Sequence, residues 1–111
     1  MHRTNSITVH EDETVTTVRL SGEIDVTIRD QARRAVVAAA AGRRPVVIDL
    51  GEVRFIDSSG VAFLLQCYRA CTGAGLDCRL RDVPRQAEVV LRVLGLDDVL
   101  PVEPEHASAD R

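Results

Sequence analysis

A run of aliphatic and β-branched residues, followed by a short polar motif and then by a helical pattern, constrains the fold of this chain most. The run is Pro45-Val46-Val47-Ile48-Asp49-Leu50, and Phe55-Ile56-Asp57-Ser58-Ser59-Gly60 follows it after segment 51–54, which we expect to be a connecting loop. A nearly continuous apolar strand is typical of an interior strand that is covered on both faces. From about Ser58 to Thr72 the apolar residues recur with helical spacing. The sequence therefore predicts that a central strand leads into a helix whose N-terminus is capped by Asp57, Ser58 or Ser59.

The other segments predict further strands and helices in the order β-β-α-β-α-β-α, with one possible short final strand within residues 96–102. Strands are predicted at 7–10, 15–20 and 76–81, and the first two form a hairpin. Segment 22–27 is predicted to be a loop in which Asp25 or Thr27 caps the next helix. Helices between strands imply parallel crossovers. The predicted fold class is therefore α/β, a mixed β-sheet with an N-terminal edge hairpin and helices packed on it.

Length and composition predict one domain over residues 1–111, with a core at about 7–102 and a polar tail at 103–111. The apolar content of 45% is enough for a core. The 14 basic residues are all Arg and are scattered, and the net charge is −3, which argues against a nucleic-acid partner. No apolar run approaches the roughly 18 residues of a membrane span, and residues 1–6 lack the apolar core of a signal peptide. We therefore expect a cytoplasmic protein without a membrane partner.

The predicted helix after the Asp-Ser-Ser-Gly motif carries two apolar stripes. The predicted core stripe consists of Val61, Leu64, Leu65, Tyr68 and Cys71, and the second stripe consists of Phe63, Cys67 and Ala70. A helix with one buried face needs only one stripe, so the second is covered either by neighbouring elements or by a partner. The three cysteines, Cys67, Cys71 and Cys78, are predicted to be small buried apolar residues, and a redox pair or half of a metal site is the alternative.

The sequence argues against most catalytic chemistries at the motif. A hydrolase with Ser58 or Ser59 as nucleophile needs a neighbouring base, and the three His lie near the chain ends or on the first strand, at positions 2, 10 and 106. The chain has no Lys for a phosphate-binding loop of the Walker type and no metal-site spacing. We therefore expect no enzyme activity, no cofactor and no metal. Two interpretations stay open on these grounds, a purely structural helix cap and a hydroxyl that is modified by phosphorylation.

Four segments taken together resemble the STAS domain proteins of the anti-sigma factor antagonist family, which are bacterial partner-switching regulators. They are Leu20–Asp25, Val46–Leu50, Phe55–Val61 and Arg92–Val102. The resemblance implies that Ser58 is phosphorylated by a cognate anti-sigma factor, itself a serine kinase. It also implies that the unphosphorylated chain binds this kinase and frees the sigma factor, and that a PP2C-type phosphatase restores the binding form. ATP and Mg²⁺ would then belong to the partner.

The resemblance also assigns a partner surface to the rim of the motif and the start of the second helix. We expect it to comprise Asp25, Asp57, Ser59, Gly60, Ala62 and Phe63. Two alternatives remain: a STAS scaffold or sensor that binds a protein or small ligand without phosphorylation and, more remotely, a serine hydrolase. The chain departs from the family at Ile28, where a small residue is common, and at 101–105, where two prolines break the usual final helix. We expect the second departure to leave part of one sheet face less covered.

Overall fold

Residues 5–103 are described by a computed structural model, in which four strands form one mixed sheet. The strands are β1 (Ser6–Glu11), β2 (Thr16–Ile24), β3 (Val46–Ile56) and β4 (Cys78–Arg81). They lie in the order β1-β2-β3-β4, with β1 antiparallel to β2 and the other two pairs parallel. This arrangement confirms the predicted α/β fold class and its N-terminal edge hairpin.

Three helices follow β2, β3 and β4 in turn. They are α1 (Arg29–Ala41), α2 (Ser58–Gly73) and α3 (Arg85–Val93), and a single 3₁₀ turn, Val26–Ile28, precedes α1. The β2-α1-β3 and β3-α2-β4 connections both step in the same direction along the sheet. Because parallel crossovers are right-handed, α1 and α2 lie on the same face of the sheet, where they pack against each other.

The core lies between this face and the helices. Every residue from Val46 to Leu50 is buried, as predicted for a central strand. On α2 the side chains of Phe63 and Cys67 are also buried, so neighbouring elements cover most of the second apolar stripe. Leu65 and Tyr68, predicted to lie in the core stripe, are only partly buried. The fully buried large side chains include Leu20, Ile24, Ile48, Leu50, Ile56, Leu64, Leu80 and Leu100.

The prediction of a connecting loop at 51–54 is wrong, because β3 continues through these residues. Likewise, β2 continues to Ile24 through part of the loop predicted at 22–27. The pairing of β2 with β3 shifts register twice, between Arg19 and Ser21 and between Gly22 and Glu23, and each shift places an extra residue on β3. Such bulges break the alternation of buried and exposed residues. Beyond Leu50 the buried positions of β3 are Val53 and Ile56, a spacing of three that does not resemble a strand in the sequence.

The predicted final strand is reduced to a single bridge between Val102 and Leu80. The Leu80 N–H donates to the carbonyl of Pro101 (2.8 Å), and the Glu103 N–H donates to the carbonyl of Leu80 (2.8 Å). Glu103, predicted to begin a frayed tail, is thus hydrogen-bonded to the free edge of β4. The rest of the predicted tail, 104–111, lies outside the described residues.

The sheet face opposite α1 and α2 carries a buried carboxylate between two arginines. Arg19 and Arg81 pair with Asp49 from the strands on either side, at N–O distances of 3.5 and 3.1 Å, and the Gly51 N–H donates to Asp49 at 2.9 Å. Burial opposes ionisation of Asp49. The hydrogen bonds from Gly51 and Arg81 and the charges of both arginines outweigh that effect, so the pKa of Asp49 lies below its ordinary value.

The first turn of α2 approaches the ends of β2 and β3 closely at Gly60. A Cβ at this position would lie 2.5 Å from the Ile24 carbonyl oxygen, 2.5 Å from Cγ1 of Ile56 and 2.9 Å from Cγ2 of Ile24. A backbone carbonyl in a paired strand cannot move aside as a flexible side chain can. Glycine is therefore required at position 60 by packing. The φ angle of Gly60 is not positive, so the backbone conformation does not itself demand glycine.

We expect Gly60→Ala to lower the free energy of unfolding by about 1–3 kcal/mol or more, because α2 must shift away from β2 and β3. Chemical denaturation followed by circular dichroism measures this loss. Gly73→Ala, at the other end of the same helix, is the matched control. A Cβ at Gly73 meets nothing within 4 Å, so this change should be neutral or stabilising by up to about 1 kcal/mol. Equal effects at the two positions would contradict the packing argument.

We expect Asp49→Asn to destabilise the fold by about 1–3 kcal/mol at neutral pH, because two arginines lose their anionic partner. The folded-state pKa of Asp49 is depressed, so its stabilising contribution is present above the unfolded pKa, about 3.9, and is lost as the pH falls through the folded-state pKa. The stability difference between wild type and Asp49→Asn should therefore shrink below about pH 4. Asp77→Asn, which removes an exposed ion pair with Arg79, is the control and should cost no more than about 1 kcal/mol. A difference that stays constant down to pH 2 would contradict this role of the Asp49 carboxylate.

Candidate functional site

The Asp-Ser-Ser-Gly motif forms the corner between β3 and α2. Asp57 is the N-cap residue, and its Oδ1 accepts hydrogen bonds from the N–H groups of Ser59 (2.9 Å) and Gly60 (3.1 Å). The predicted cap is therefore supplied by Asp57 and not by either serine. Ser58 and Ser59 are the first two residues of the helix and are exposed. Within the described part of the chain the side-chain hydroxyls of both serines have no hydrogen-bond partner.

The loop after β2 places a second carboxylate beside this corner. Ile24 pairs with Ile56 at the ends of β2 and β3, and the Asp57 N–H donates to the Ile24 carbonyl (3.4 Å). Asp25 and Asp57 are therefore the next residues on adjacent strands, whose spacing is about 4.8 Å. Asp25 accepts hydrogen bonds from the hydroxyl and the N–H of Thr27, which hold its pKa below the ordinary value. Asp25 thus caps the 3₁₀ turn before α1, as the sequence suggested.

Gln86 on α3 fixes the position of the corner, a role that no sequence pattern indicates. Its side-chain amide donates to the carbonyl of Ile56 (3.1 Å) and accepts from the N–H of the same residue (3.2 Å). One side chain thereby satisfies both backbone groups of the last residue of β3, directly before Asp57. Because Gln86 lies 30 positions away in the chain, only the tertiary structure shows the contact.

A groove of about 670 Å³ extends from the corner between α1 and α2. Asp25 and Ser59 line it together with Ala62 and Phe63, so four residues of the predicted partner surface meet in one concave site. Ala62 is exposed, whereas Phe63 is only 4% exposed and contributes little surface. Gly60 is buried against Ile24, so its role in the structure is packing. Asp57 lies at the corner, where its Oδ1 is occupied by the cap.

The opposite side of the groove comes from α1 and the turn before it, and sequence reasoning did not assign it to the site. It presents Val26 and Val37, which are 50% and 64% exposed, and the arginines Arg29 and Arg33. The sequence shows the two arginines four positions apart, about one helical turn, and this spacing is the available signal. That they face α2 and the motif was not visible, because the crossing of α1 and α2 is a tertiary feature.

The described residues provide no catalytic or metal-binding set at the corner. His10 on β1 pairs with Thr17 on β2, and Thr17 in turn pairs with Val47 on β3, which lies eleven positions before Ser58. At that separation His10 cannot act as a base for Ser58. His2 and His106 lie outside the described residues. Within 5–103 no cluster of three His, Cys, Asp or Glu side chains is arranged to hold a metal ion. Over the same residues, none of the helices combines the length and apolarity needed to cross a membrane.

The three cysteines lie away from the corner and are buried as free thiols, as predicted. Hydrogen bonding to Cys71, together with burial, raises the pKa of Cys67 and of Cys78. Both side chains are therefore neutral and contribute to the core as small apolar groups.

Comparison with known proteins gives a consistent family assignment. The family model described as Mlab, STAS domain matches residues 7–101. An anti-sigma F factor antagonist of Paenibacillus polymyxa is 30% identical over 94 residues, which cover 83% of this chain and 80% of that protein. The crystal structure of an anti-sigma factor antagonist from Mycobacterium paratuberculosis has a TM-score of 0.80 at 27% identity, covering 96% of this chain and 91% of that one. The anti-sigma factor antagonist SpoIIAA in its unphosphorylated form has a TM-score of 0.66 at 22% identity, with 96% and 95% coverage, and this likeness concerns the fold alone.

Three observations agree on one family: the sheet order, the strand-to-helix corner with its Asp-Ser-Ser-Gly motif, and the match over residues 7–101. This chain belongs to the STAS domain family.

Proposed function

We propose that this protein is an anti-sigma factor antagonist that is switched off by phosphorylation of Ser58. The observation that carries the proposal is the state of the Ser58 hydroxyl, which is exposed at the first position of α2 and has no hydrogen-bond partner among the described residues. A kinase can reach such a group without unfolding the corner. The similarity to the Paenibacillus polymyxa and Mycobacterium paratuberculosis antagonists supports the same function.

The electrostatics of the corner explain how a phosphate would act. A phosphoserine adds about −1.5 to −2 charges. At a helix N-terminus the helix dipole offsets only about 0.3–1 kcal/mol of the resulting repulsion. The N–H groups of Ser59 and Gly60 already donate to Asp57, so few donors remain at the helix start to bind the phosphate. The added charge therefore stays at the surface beside Asp25 and Asp57.

The partner in this proposal is an anti-sigma factor with serine kinase activity, and a PP2C-type phosphatase reverses the modification. A kinase surface that fits the unmodified corner meets a dianion after phosphorylation. Unfavourable charge at an interface costs several kcal/mol, and each 1.4 kcal/mol is about tenfold in Kd. The fold itself can remain unchanged, because the switch acts on the surface. ATP and Mg²⁺ are bound by the kinase, and this chain acts as a binding protein.

We expect Ser58→Ala to bind the cognate kinase as tightly as unphosphorylated wild type, and Ser58→Asp to bind at least about tenfold more weakly. The kinase is recovered from native cells with dephosphorylated protein as bait, and the affinities are measured by calorimetry. Ser59→Ala is the matched control, because it removes the neighbouring hydroxyl. This control should still be phosphorylated by kinase and ATP, whereas Ser58→Ala should not. Phosphate found on Ser59, or equal binding by Ser58→Ala and Ser58→Asp, would contradict the proposal.

We expect Asp57→Asn to keep the fold close to wild-type stability, because asparagine also caps helices, and Asp57→Ala to cost about 0.5–2 kcal/mol. Thermal unfolding measures both effects. The two variants separate the capping role of Asp57 from the role of its negative charge. If Asp57 also contacts the kinase through that charge, Asp57→Asn weakens binding without loss of stability. A large loss of stability in Asp57→Asn would show that the second carboxylate oxygen matters for the fold.

An alternative function, a STAS scaffold or sensor that is not phosphorylated, keeps the groove as its binding site. Mass spectrometry of the protein from growing and stressed native cells separates the two. Finding Ser58 unmodified under every condition would favour the scaffold. A serine hydrolase requires labelling of Ser58 by a fluorophosphonate, and we expect none because His10 lies far along the sheet.

A further inference from the structure

The groove between α1 and α2 combines an apolar floor with a pair of arginines on one side. Ile28, Ala32, Val36 and Phe63 provide the floor, and Val26 and Val37 leave apolar surface exposed at its rim. Arg29 and Arg33 lie on the side of the groove that belongs to α1. Within residues 5–103 neither arginine forms an ion pair.

Two unpaired like charges at i and i+4 oppose helix formation slightly. Four other arginines within residues 5–103 pair with carboxylates, among them Arg44 with Glu11 and Arg81 with Asp49. What distinguishes Arg29 and Arg33 from the remaining unpaired arginines of these residues is their place beside the apolar floor of the groove. At the groove the nearest acidic group on α1 is Asp30, one position away from Arg29 and therefore on a different face. Asp25 also lines the groove, and its carboxylate accepts hydrogen bonds from Thr27. Among residues 5–103 the lining thus holds two arginines against one carboxylate, next to exposed apolar surface.

The length of the groove along α1 matches a short helical segment. From Arg29 to Val37 the axis of α1 rises about 12 Å, which equals two turns of a bound helix. Helix-in-groove recognition uses an apolar stripe at i, i+3 or i+4 and i+7, flanked by polar residues. Small side chains in the lining, Ala32 on α1 and Ala62 on α2, allow a helix backbone to approach closely.

We propose that this groove binds an acidic amphipathic helix of the anti-sigma factor, with carboxylates one turn apart that pair with Arg29 and Arg33. The identity of the partner rests on the proposed function; the chemistry of the bound segment rests on the groove. Asp25 and Ser59 line the same groove, and Ser58 adjoins Ser59. A phosphate on Ser58 therefore adds negative charge where an acidic segment must dock, which couples the modification to release.

The first test uses a synthetic probe and does not depend on the anti-sigma factor. An amphipathic helical peptide of about 15 residues with a leucine stripe flanked by Glu at i and i+4 is titrated into the ¹⁵N-labelled full chain, and the same peptide with Lys for Glu is the control. We expect amide shifts confined to 26–37 and 59–70, and a Kd at least about tenfold lower for the Glu peptide, weakening as salt is raised. The double variant Arg29→Glu/Arg33→Glu should reverse the preference.

The control variant Arg34→Glu/Arg69→Glu changes the same number of charges on α1 and α2 outside the groove lining and should bind the Glu peptide as wild type does. The proposal would be overturned if neither peptide caused amide shifts or if both peptides bound equally. Shifts on the sheet face opposite α1 and α2 would also overturn it. The proposal would also be overturned if the full chain bound anionic lipid vesicles through Arg29 and Arg33 more strongly than it bound the peptide. Self-association through the groove in sedimentation experiments would overturn it as well.

The second test separates this inference from the proposed function. The anti-sigma factor is titrated against wild type, Arg29→Glu/Arg33→Glu and Ser58→Asp. Loss of binding in the arginine variant but not in Ser58→Asp supports the groove and contradicts the phosphorylation switch. Loss in Ser58→Asp alone supports the switch and overturns the groove as the docking site for the anti-sigma factor.

Discussion

The contact between the first turn of α2 and the ends of β2 and β3 is the constraint on which the site depends. Gly60 brings the helix within van der Waals contact of the Ile24 carbonyl, and any side chain there would force the elements apart. This contact fixes where Ser58 emerges and how close Asp25 lies to it. The cap by Asp57 works only in this geometry, because its Oδ1 must reach the N–H groups of Ser59 and Gly60.

Two further features hold the corner in place from outside the motif. The bulges of β3 change the direction of the strand after Asp49, and the extended β2 follows it as far as Ile24. At the end of β3 the amide of Gln86 binds both backbone groups of Ile56. The Ser58 hydroxyl thus lies on a well-supported corner, which suits the proposed switch, since that switch changes surface charge and leaves the fold unchanged.

Charge is distributed unevenly between the corner and the groove. The carboxylates of Asp25 and Asp57 are occupied in capping backbone N–H groups, so they contribute to local structure as well as to the negative rim. Arg29 and Arg33, by contrast, face the groove without partners among the described residues. This contrast is the physical basis for the two proposals, a modification site at Ser58 and a docking site in the groove.

The element order, the central strand at Val46–Leu50 and the helix that starts at Ser58 could be predicted from the sequence, because hydrophobic periodicity and capping residues are local properties. The resemblance to a known family, and not spacing, selected Ser58 over Ser59. The extension of β3 through 51–54 could not be predicted, since two bulges break the alternation that marks a strand. Three features became visible only in the folded chain: Gln86 binds Ile56, neighbouring elements bury Phe63, and Arg29 and Arg33 line the groove beside α2. Each of these depends on contacts between residues that are distant in the chain, and such contacts leave no periodic signal in the sequence.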